Sequence, residues 1–140
     1  MDKSINSFQP DSDFGQISEN KFYRPYMSQK SFVYRFGEFR LDVGRRLLFK
    51  GEETVLLPPK AYEILQLLVE SEGRLVEKKE LMQKIWHDSF VEDNNLTVNI
   101  TSIRKALREK SGENKFILTV PRSGYRFISE VTKEETNPVE

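Results

Sequence analysis

The sequence predicts an α+β fold in which antiparallel strands, three helices and a closing hairpin follow one another along the chain. Three observations lead to this prediction. Residues 32–57 alternate apolar and polar side chains between turn signals, as short antiparallel strands do. Residues 58–111 then carry three apolar patterns at helical spacing. Two further strand-like runs, 116–120 and 125–129, flank a Pro-Arg-Ser-Gly turn.

The composition excludes several kinds of protein. With 140 residues, 37% of them hydrophobic, the chain can form one folded domain with tails and is too apolar for wholesale disorder. The absence of Cys excludes a disulfide framework and a thiolate metal site. The one His, His87, has no predictable catalytic partner, and we interpret the neighbouring Glu92 and Asp93 as solvated charges. We therefore expect no enzymatic activity, no metal and no cofactor.

The sequence carries no sign of a membrane segment or an export signal. No apolar run approaches the roughly 20 residues that span a bilayer. The N-terminal residues also lack the apolar core of a signal peptide. We therefore expect a cytoplasmic protein.

The charge is unevenly distributed along the chain. The formal net charge is zero, but residues 94–126 hold seven basic and two acidic side chains. A basic segment within a neutral chain is typical of a nucleic-acid interface, because phosphate binding requires cations.

We expect the chain to divide into three parts. Residues 1–31 are polar and aperiodic, which predicts a disordered or loosely docked N-terminal arm. Residues 32–131 form the folded domain, and residues 132–140 form a polar C-terminal tail. Whether the aromatic run at 22–27 is incidental or docks on the domain or a partner stays open.

Period-two alternation predicts the first strands. Turns are expected at 42–44 and 50–52, where Gly permits a tight reversal. Phe39 and Leu41 alternate with Arg40 and Asp42 in one expected strand, and Leu47 and Phe49 alternate with Leu48 and Lys50 in the next. One face of this sheet must be covered by another part of the chain.

Two helices follow the strands. Pro58 and Pro59 open the first, because Pro fits a first helical turn, and Gly73 ends it. The second helix spans roughly residues 78–86, and its apolar stripe is expected at Leu81, Met82, Ile85 and Trp86.

The third helix is predicted over residues 94–110, with Asp93 or Asn94 as N-cap and Ser111-Gly112 as its end. Its core stripe is Leu96, Ile100, Ile103 and Leu107, spaced four, three and four residues apart. The opposite face carries Asn94, Asn95, Val98, Thr101, Ser102 and Lys105, with Thr97, Arg104 and Arg108 on one flank and Asn99 on the other.

This outer face offers the chemistry of base and phosphate recognition. Asn can bond adenine through two atoms, Thr and Ser can bond base edges or phosphates, and Val98 can contact a thymine methyl. Arg104, Lys105 and Arg108 can reach phosphates. An ordinary solvated helix face is the alternative.

The closing hairpin places one cation at its turn. Arg122 lies within Pro121-Arg122-Ser123-Gly124, where it can enter a minor groove, whose negative potential attracts Arg. The alternative is an exposed Arg in an ordinary β-turn.

Several motifs in order resemble the OmpR/PhoB-type winged-helix DNA-binding domain over about residues 34–131. They are FRLD, the helix opening PKA, GRLV, the helix ending IW, IRKAL and the final GYRF. The run TVPRSGY is similar to the CadC and ToxR branch, which often lacks a receiver domain.

The resemblance implies a winged helix-turn-helix with an N-terminal antiparallel sheet, three helices and a C-terminal β-hairpin wing. It implies a sequence-specific, double-stranded DNA-binding transcription regulator, with recognition helix 94–110 in the major groove and wing 121–124 in the minor groove. We also expect two copies on adjacent half-sites about one helical turn apart.

The resemblance also implies particular site residues. The DNA face corresponds to Asn94, Asn95, Val98, Asn99, Thr101, Ser102, Arg104, Lys105 and, in the wing, Arg122. Loop 87–93 corresponds to a segment that touches RNA polymerase in some relatives, with Phe90 and Val91 as its apolar contacts unless they pack into the core.

The sequence departs from the family pattern at several positions. Relatives often carry Arg where Asn94, Thr101 and Ser102 stand, so the slope of the salt dependence falls by roughly 0.9 log unit per lost contact. Pro58 and Glu77 replace common Thr and Ser caps. A protein-interaction module on the same fold is the alternative function, because the chain is neutral overall. No receiver domain is present, so the chain is either regulated otherwise or part of a longer protein.

Overall fold

The structure, a computed structural model, describes residues 31–87 and 91–136, and in these ranges strands and helices follow the predicted order. The elements are β1 (Ser31–Phe36), β2 (Phe39–Asp42), β3 (Leu47–Lys50), β4 (Glu53–Val55), α1 (Pro59–Glu70), β5 (Val76–Glu77), α2 (Lys78–Ile85), α3 (Asp93–Ala106), β6 (Ile117–Val120), β7 (Gly124–Phe127) and β8 (Thr132–Thr136). The predicted α+β fold class is confirmed. The arm expected over residues 1–31 lies outside the described residues except for Ser31.

The N-terminal strands form a five-stranded sheet in the order β4-β3-β2-β1-β8, and β1 to β4 pair in antiparallel fashion. Tyr34, Leu41 and Leu48 are aligned across three strands, and all are buried. Gly51 makes the predicted turn between β3 and β4 at φ +62°, in the left-handed region that Gly adopts without strain. In the predicted turn after β2 the left-handed residue is Arg46, at φ 56°, rather than Gly44, and Gly37, at φ +57°, makes a further turn between β1 and β2. The predicted meander is therefore present.

The face of β3 that meets the core is the one that carries Leu48. Leu48 pairs with Leu41 and is 1% exposed, whereas Phe49 lies on the other face, outside the main core. The guanidinium carbon of Arg40 lies 4.2 Å from the centre of the Phe49 ring and covers it. Because Leu47, Leu48 and Phe49 are consecutive apolar residues, their order could not define which face is buried.

The expected polar tail begins as a strand. Thr132–Thr136 forms β8 at one edge of the five-stranded sheet, and each of its side chains is exposed. An edge strand with no buried face has no apolar alternation, so its sequence resembles that of a loop. Residues 137–140 lie outside the described residues.

The first helix begins as predicted. Pro58 precedes α1 and Pro59 occupies its first turn. Its end differs in detail, because Ser71 is the C-cap and Glu72, rather than Gly73, is the first residue after it with positive φ, at 57°. The buried face of α1 consists of Ala61, Tyr62, Ile64, Leu65, Leu68 and Val69.

A group of aromatic rings joins the two sheets. β5, β7 and β6 form a three-stranded antiparallel sheet in that order. Phe36 of the N-terminal sheet meets Phe127 of β7 edge to face, with ring centres 5.0 Å apart. Phe116 lies 6.0 Å from Phe36 and 5.7 Å from Phe39. These contacts fix the base of the closing hairpin on the core.

Tyr62 on α1 buries a polar atom. Its hydroxyl has no hydrogen-bond partner among the residues that the structure describes. Burial raises the pKa of Tyr62 to about 12, and the nearby Arg46 opposes part of this rise. The buried phenol is therefore kept neutral and contributes no hydrogen bond to stability.

The substitution Tyr62→Phe is expected to leave the free energy of unfolding unchanged or to raise it by up to about 1 kcal/mol near pH 7. Above pH 10 the advantage of the variant should grow, because the unfolded tyrosine ionises near 10.0 while the folded one stays protonated to about 12. Denaturant titrations of both proteins at neutral pH and at about pH 11 measure this difference. If Tyr62→Phe is clearly less stable than the wild type at neutral pH, the hydroxyl of Tyr62 must make a stabilising hydrogen bond, contrary to this expectation.

Candidate nucleic-acid interface

One face of α3 is buried in the core. Leu96, Ile100 and Ile103 are at most 2% exposed, and Leu107 directly after the helix is also buried. The predicted stripe is thereby confirmed. Since α3 packs on α1 and α2 through this face, its opposite face is directed away from the core.

The outer face of α3 is open to solvent. We use this name for its exposed residues Asn94, Asn95, Val98, Thr101 and Lys105. Val98 is 54% exposed and is an apolar side chain among polar ones. Ser102 and Asn99 are half-buried at the margins of this face. The side-chain nitrogen of Asn99 donates to the carbonyl of Asn95 at 2.8 Å, which leaves it less available to a partner.

The ends of α3 differ from the prediction. The helix begins at Asp93 after Glu92, which is the N-cap and makes no side-chain capping bond. It ends at Ala106 rather than at residue 110. Arg108 takes the left-handed position, with φ 59°, that the prediction gave to the Ser-Gly pair.

Two backbone bonds close this end of the helix. The N–H of Arg108 donates to the carbonyl of Lys105 at 3.1 Å, and the N–H of Glu109 donates to that of Arg104 at 2.9 Å. This pair of bonds is a Schellman motif. Arg108 is therefore exposed beyond the helix instead of lying on its last turn.

The guanidinium of Arg104 makes hydrogen bonds within the domain. Its Nη2 donates to the carbonyl of Ile117 and to Oγ1 of Thr119, each at 2.9 Å. The Arg104 side chain is 29% exposed. Arg104 therefore links α3 to β6 rather than lying free at the surface.

Glu109 is a structural residue that the sequence analysis missed. Its carboxylate is 1% exposed and accepts the N–H groups of Lys115, Phe116 and Ile117 at 2.6, 3.2 and 3.2 Å. Three donors compensate a buried negative charge. A carboxylate that accepts backbone N–H groups of a loop produces no periodic pattern in the sequence. The position of Glu109 shortly after a helix is the one signal that could have indicated this role.

The closing hairpin projects its turn into solvent. β6 and β7 pair up to Val120 and Gly124, and the three residues between them, Pro121–Ser123, form what we call the tip. Arg122 is exposed there, with φ 66°. The carbonyl of Ser123 accepts the N–H of Lys78 at 3.0 Å, which ties the tip to the start of α2.

Gly124 permits close packing at the base of the tip. It pairs with Glu77 across β5 and β7. A Cβ on Gly124 would overlap the carbonyl oxygen of Val76 and lie 2.8 Å from Cα of Glu77. Both neighbours are backbone atoms, so a side chain here would force the strands apart.

The remaining predicted site residues lie elsewhere. Val91 is half-buried and lines a groove beside Met82 of α2 and Trp86, which follows the end of α2 instead of lying on its last turn, whereas Phe90 lies outside the described residues. Within residues 31–87 and 91–136, no group of three His, Cys, Asp or Glu side chains could hold a metal ion. In the same ranges, no helix has both the length and the apolarity needed to cross a membrane.

The helices α2 and α3, followed by the projecting hairpin, define a winged helix-turn-helix. The sequence matches the family described as "Transcriptional regulatory protein, C terminal" over residues 51–127. The chain therefore belongs to this OmpR/PhoB-type family of DNA-binding domains.

Known proteins similar to this chain include transcription regulators and their domains. "Transcriptional regulator HilA" of Salmonella typhi is 38% identical over 101 residues, which are 72% of this chain and 18% of HilA. The response regulator DrrB of Thermotoga maritima matches with TM-score 0.63 and 29% identity over 68% of this chain and 43% of DrrB. The RstA DNA-binding domain of Klebsiella pneumoniae, solved in complex with the RstA box, matches with TM-score 0.60 and 26% identity. The match covers 68% of this chain and 95% of the RstA domain. The chain thus spans under a fifth of HilA and under half of DrrB.

The substitution Gly124→Ala is expected to lower the free energy of unfolding by at least about 2 kcal/mol, because β5 and β7 must separate. Gly112→Ala is the matched control, because it adds the same methyl group to a glycine at φ +77° that has open space around it. The control should lose only about 1 kcal/mol through backbone strain. If denaturant titrations show that both variants lose the same free energy of unfolding, then β5 and β7 move apart without an energetic penalty and the expectation is wrong.

Proposed function

We propose that this chain is a sequence-specific, double-stranded DNA-binding transcription regulator without enzymatic activity or cofactor. In this proposal α3 enters the major groove, the tip enters the adjacent minor groove, and residues 32–131 form the DNA-binding domain. The observation that carries it is the exposure of the outer face of α3 together with Arg122, while the other side of α3 is buried. The solved complex of the similar RstA domain with the RstA box supports it.

The outer face provides base recognition in this arrangement. Asn94, Asn95 and Thr101 carry hydrogen-bonding groups on short side chains, which allow the helix to approach the floor of the groove. Val98 lies between them and offers its methyl groups to a thymine. Ser102 and Asn99 border the contact from their half-buried positions.

The cations at the end of α3 and in the tip provide contacts to the DNA backbone and minor groove. Lys105 and Arg108 are exposed near one end of the outer face, where phosphates would pass. Arg122 would enter the minor groove from the tip. Arg104 supports these contacts from inside the domain, because its guanidinium already binds β6.

Two further parts of the proposal concern partners and location. Val91 borders a groove with Met82 and Trp86, and we propose this part of loop 87–93 as a contact for RNA polymerase. We also propose a cytoplasmic location, because the DNA of a bacterium, such as the source of the similar HilA, lies in that compartment.

The first test is a mobility-shift titration, over a range of salt concentrations, with duplexes that the wild-type chain selects from a random library. Lys105→Ala and Arg122→Ala should each weaken binding about fivefold to twentyfold and reduce the salt slope by about 0.9. Val98→Ala should reduce discrimination between sequences and leave the slope unchanged, because it removes no charge.

Arg35→Ala is the control for the loss of a positive charge. Arg35 is exposed on β1 in the N-terminal sheet and pairs with Glu134 at 3.4 Å. Its loss should leave affinity and slope close to those of the wild type. If no duplex shifts even at low salt, the proposed function is wrong.

We also propose that two copies bind adjacent half-sites about one helical turn apart, because one copy places few cations on the DNA. Band-shift stoichiometry on duplexes with one or two half-sites tests this proposal. Two half-sites should bind two copies and much more tightly than one. Equal affinity for both duplexes, with one copy on each, would contradict it.

A further inference from the structure

We infer that Arg104 and Glu109 are positioning residues, which hold the wing at a fixed distance and angle from α3 and act on DNA through Arg122. From this point we use the name wing for the whole closing hairpin, which consists of β6, the tip and β7. This inference rests on the proposed function and deepens it. It assigns Arg104 a role inside the protein instead of a contact with phosphate.

The first observation is that two side chains complete the outer edge of β6. In the described structure β6 is the last strand of its sheet, so one side of its backbone faces no strand. The N–H of Ile117 donates to Oε1 of Glu109 at 3.2 Å, and its carbonyl accepts Nη2 of Arg104 at 2.9 Å. Together, Arg104 and Glu109 satisfy this residue as a neighbouring strand would.

The second observation is that both side chains originate where α3 ends. The Schellman bond from the N–H of Glu109 to the carbonyl of Arg104 fixes their backbones relative to each other. Oε1 of Glu109 also lies 4.0 Å from Nε of Arg104. The end of α3 and the start of β6 are therefore joined by one group of bonds.

The third observation is that this group extends toward the tip. Nη2 of Arg104 donates to Oγ1 of Thr119 at 2.9 Å, two residues before Pro121. At the tip itself, the bond from the N–H of Lys78 to the carbonyl of Ser123 provides a second tie, to the start of α2. The tip is thus held from α3 through β6 and from α2 through Ser123.

The consequence concerns DNA binding rather than folding alone. Major- and minor-groove contacts form together only if Arg122 is held at a suitable distance from the outer face of α3. A wing that moves relative to α3 must be ordered when DNA binds, and this ordering lowers the affinity. The bonds of Arg104 and Glu109 remove that cost in advance.

The experiment is a double-mutant cycle on a duplex selected by the wild-type chain. Thr119→Val removes the acceptor of Arg104 at an exposed site and keeps the side-chain shape. Glu109→Gln weakens the carboxylate bonds to the loop and β6. Each is combined with Arg122→Ala, and the dissociation constant of every protein is measured at one salt concentration.

The control for the charge change is Glu113→Gln. Glu113 is exposed and accepts only the N–H of Lys110 among the hydrogen bonds given by the described structure, so it bonds no strand of the wing. It alters the net charge as Glu109→Gln does. Thermal unfolding of each variant identifies any protein that is not folded at the assay temperature, and Thr119→Val then carries the test alone.

We expect Thr119→Val and Glu109→Gln each to weaken binding about threefold to tenfold with Arg122 present, and to have almost no effect in the Arg122→Ala background. Glu113→Gln should not weaken binding in either background. Losses that persist without Arg122 would show a direct DNA contact or a general loss of structure, and would overturn the inference.

Two other outcomes separate this inference from the proposed function. If the wild type binds DNA and Arg122→Ala has no effect, the wing makes no useful contact, so the inference is wrong while binding by α3 stands. If the wild type binds no duplex, the proposed function fails and the inference fails with it.

Discussion

The burial of Leu96, Ile100 and Ile103 determines how α3 is rotated about its axis, and the rest of the interface depends on that rotation. Successive helical residues are 100° apart, so a fixed buried stripe also fixes which side chains face outward. Turning the helix by one position would expose these apolar groups and bury amides such as that of Asn95 without partners, which is costly. The buried stripe therefore determines which residues form the candidate DNA-binding surface, although the stripe itself does not contact DNA.

A second constraint places the hairpin relative to this helix. The rings of Phe36, Phe116 and Phe127 fix its base on the N-terminal sheet, and Gly124 lets β7 approach β5 closely. The N-terminal sheet thus supports the wing, although its own outer face carries none of the residues proposed to contact DNA. Packing determines where the wing begins, while polar bonds near α2 and α3 determine where its tip lies.

The sequence predicts the parts of the fold that local sequence patterns specify. The stripe of α3, the opening of α1 at Pro59 and the hairpin around Arg122 all follow from local rules. The buried face of β3, the last turn of α3 and the bonds of Glu109 do not. Consecutive apolar residues hide the phase of a strand, Arg108 occupies a position typical of Gly, and Glu109 serves backbone groups six to eight residues away. Of the predicted site, the exposure of Val98 and Arg122 agrees with the sequence, whereas the internal bonding of Arg104 required the structure.

The near-neutral outer face of α3 has a consequence for specificity under the proposed function. Non-specific binding to DNA is almost entirely electrostatic, so each missing cation weakens non-specific binding. The same loss weakens specific binding to a similar extent. Hydrogen bonds and methyl contacts to bases act only at the correct sequence, and they are unaffected by this loss. A face with Asn94 and Thr101 in place of cations therefore lowers absolute affinity while it preserves the ratio of specific to non-specific binding. Such a domain gains occupancy best by adding a second copy, because a second set of base contacts raises affinity for the correct site alone.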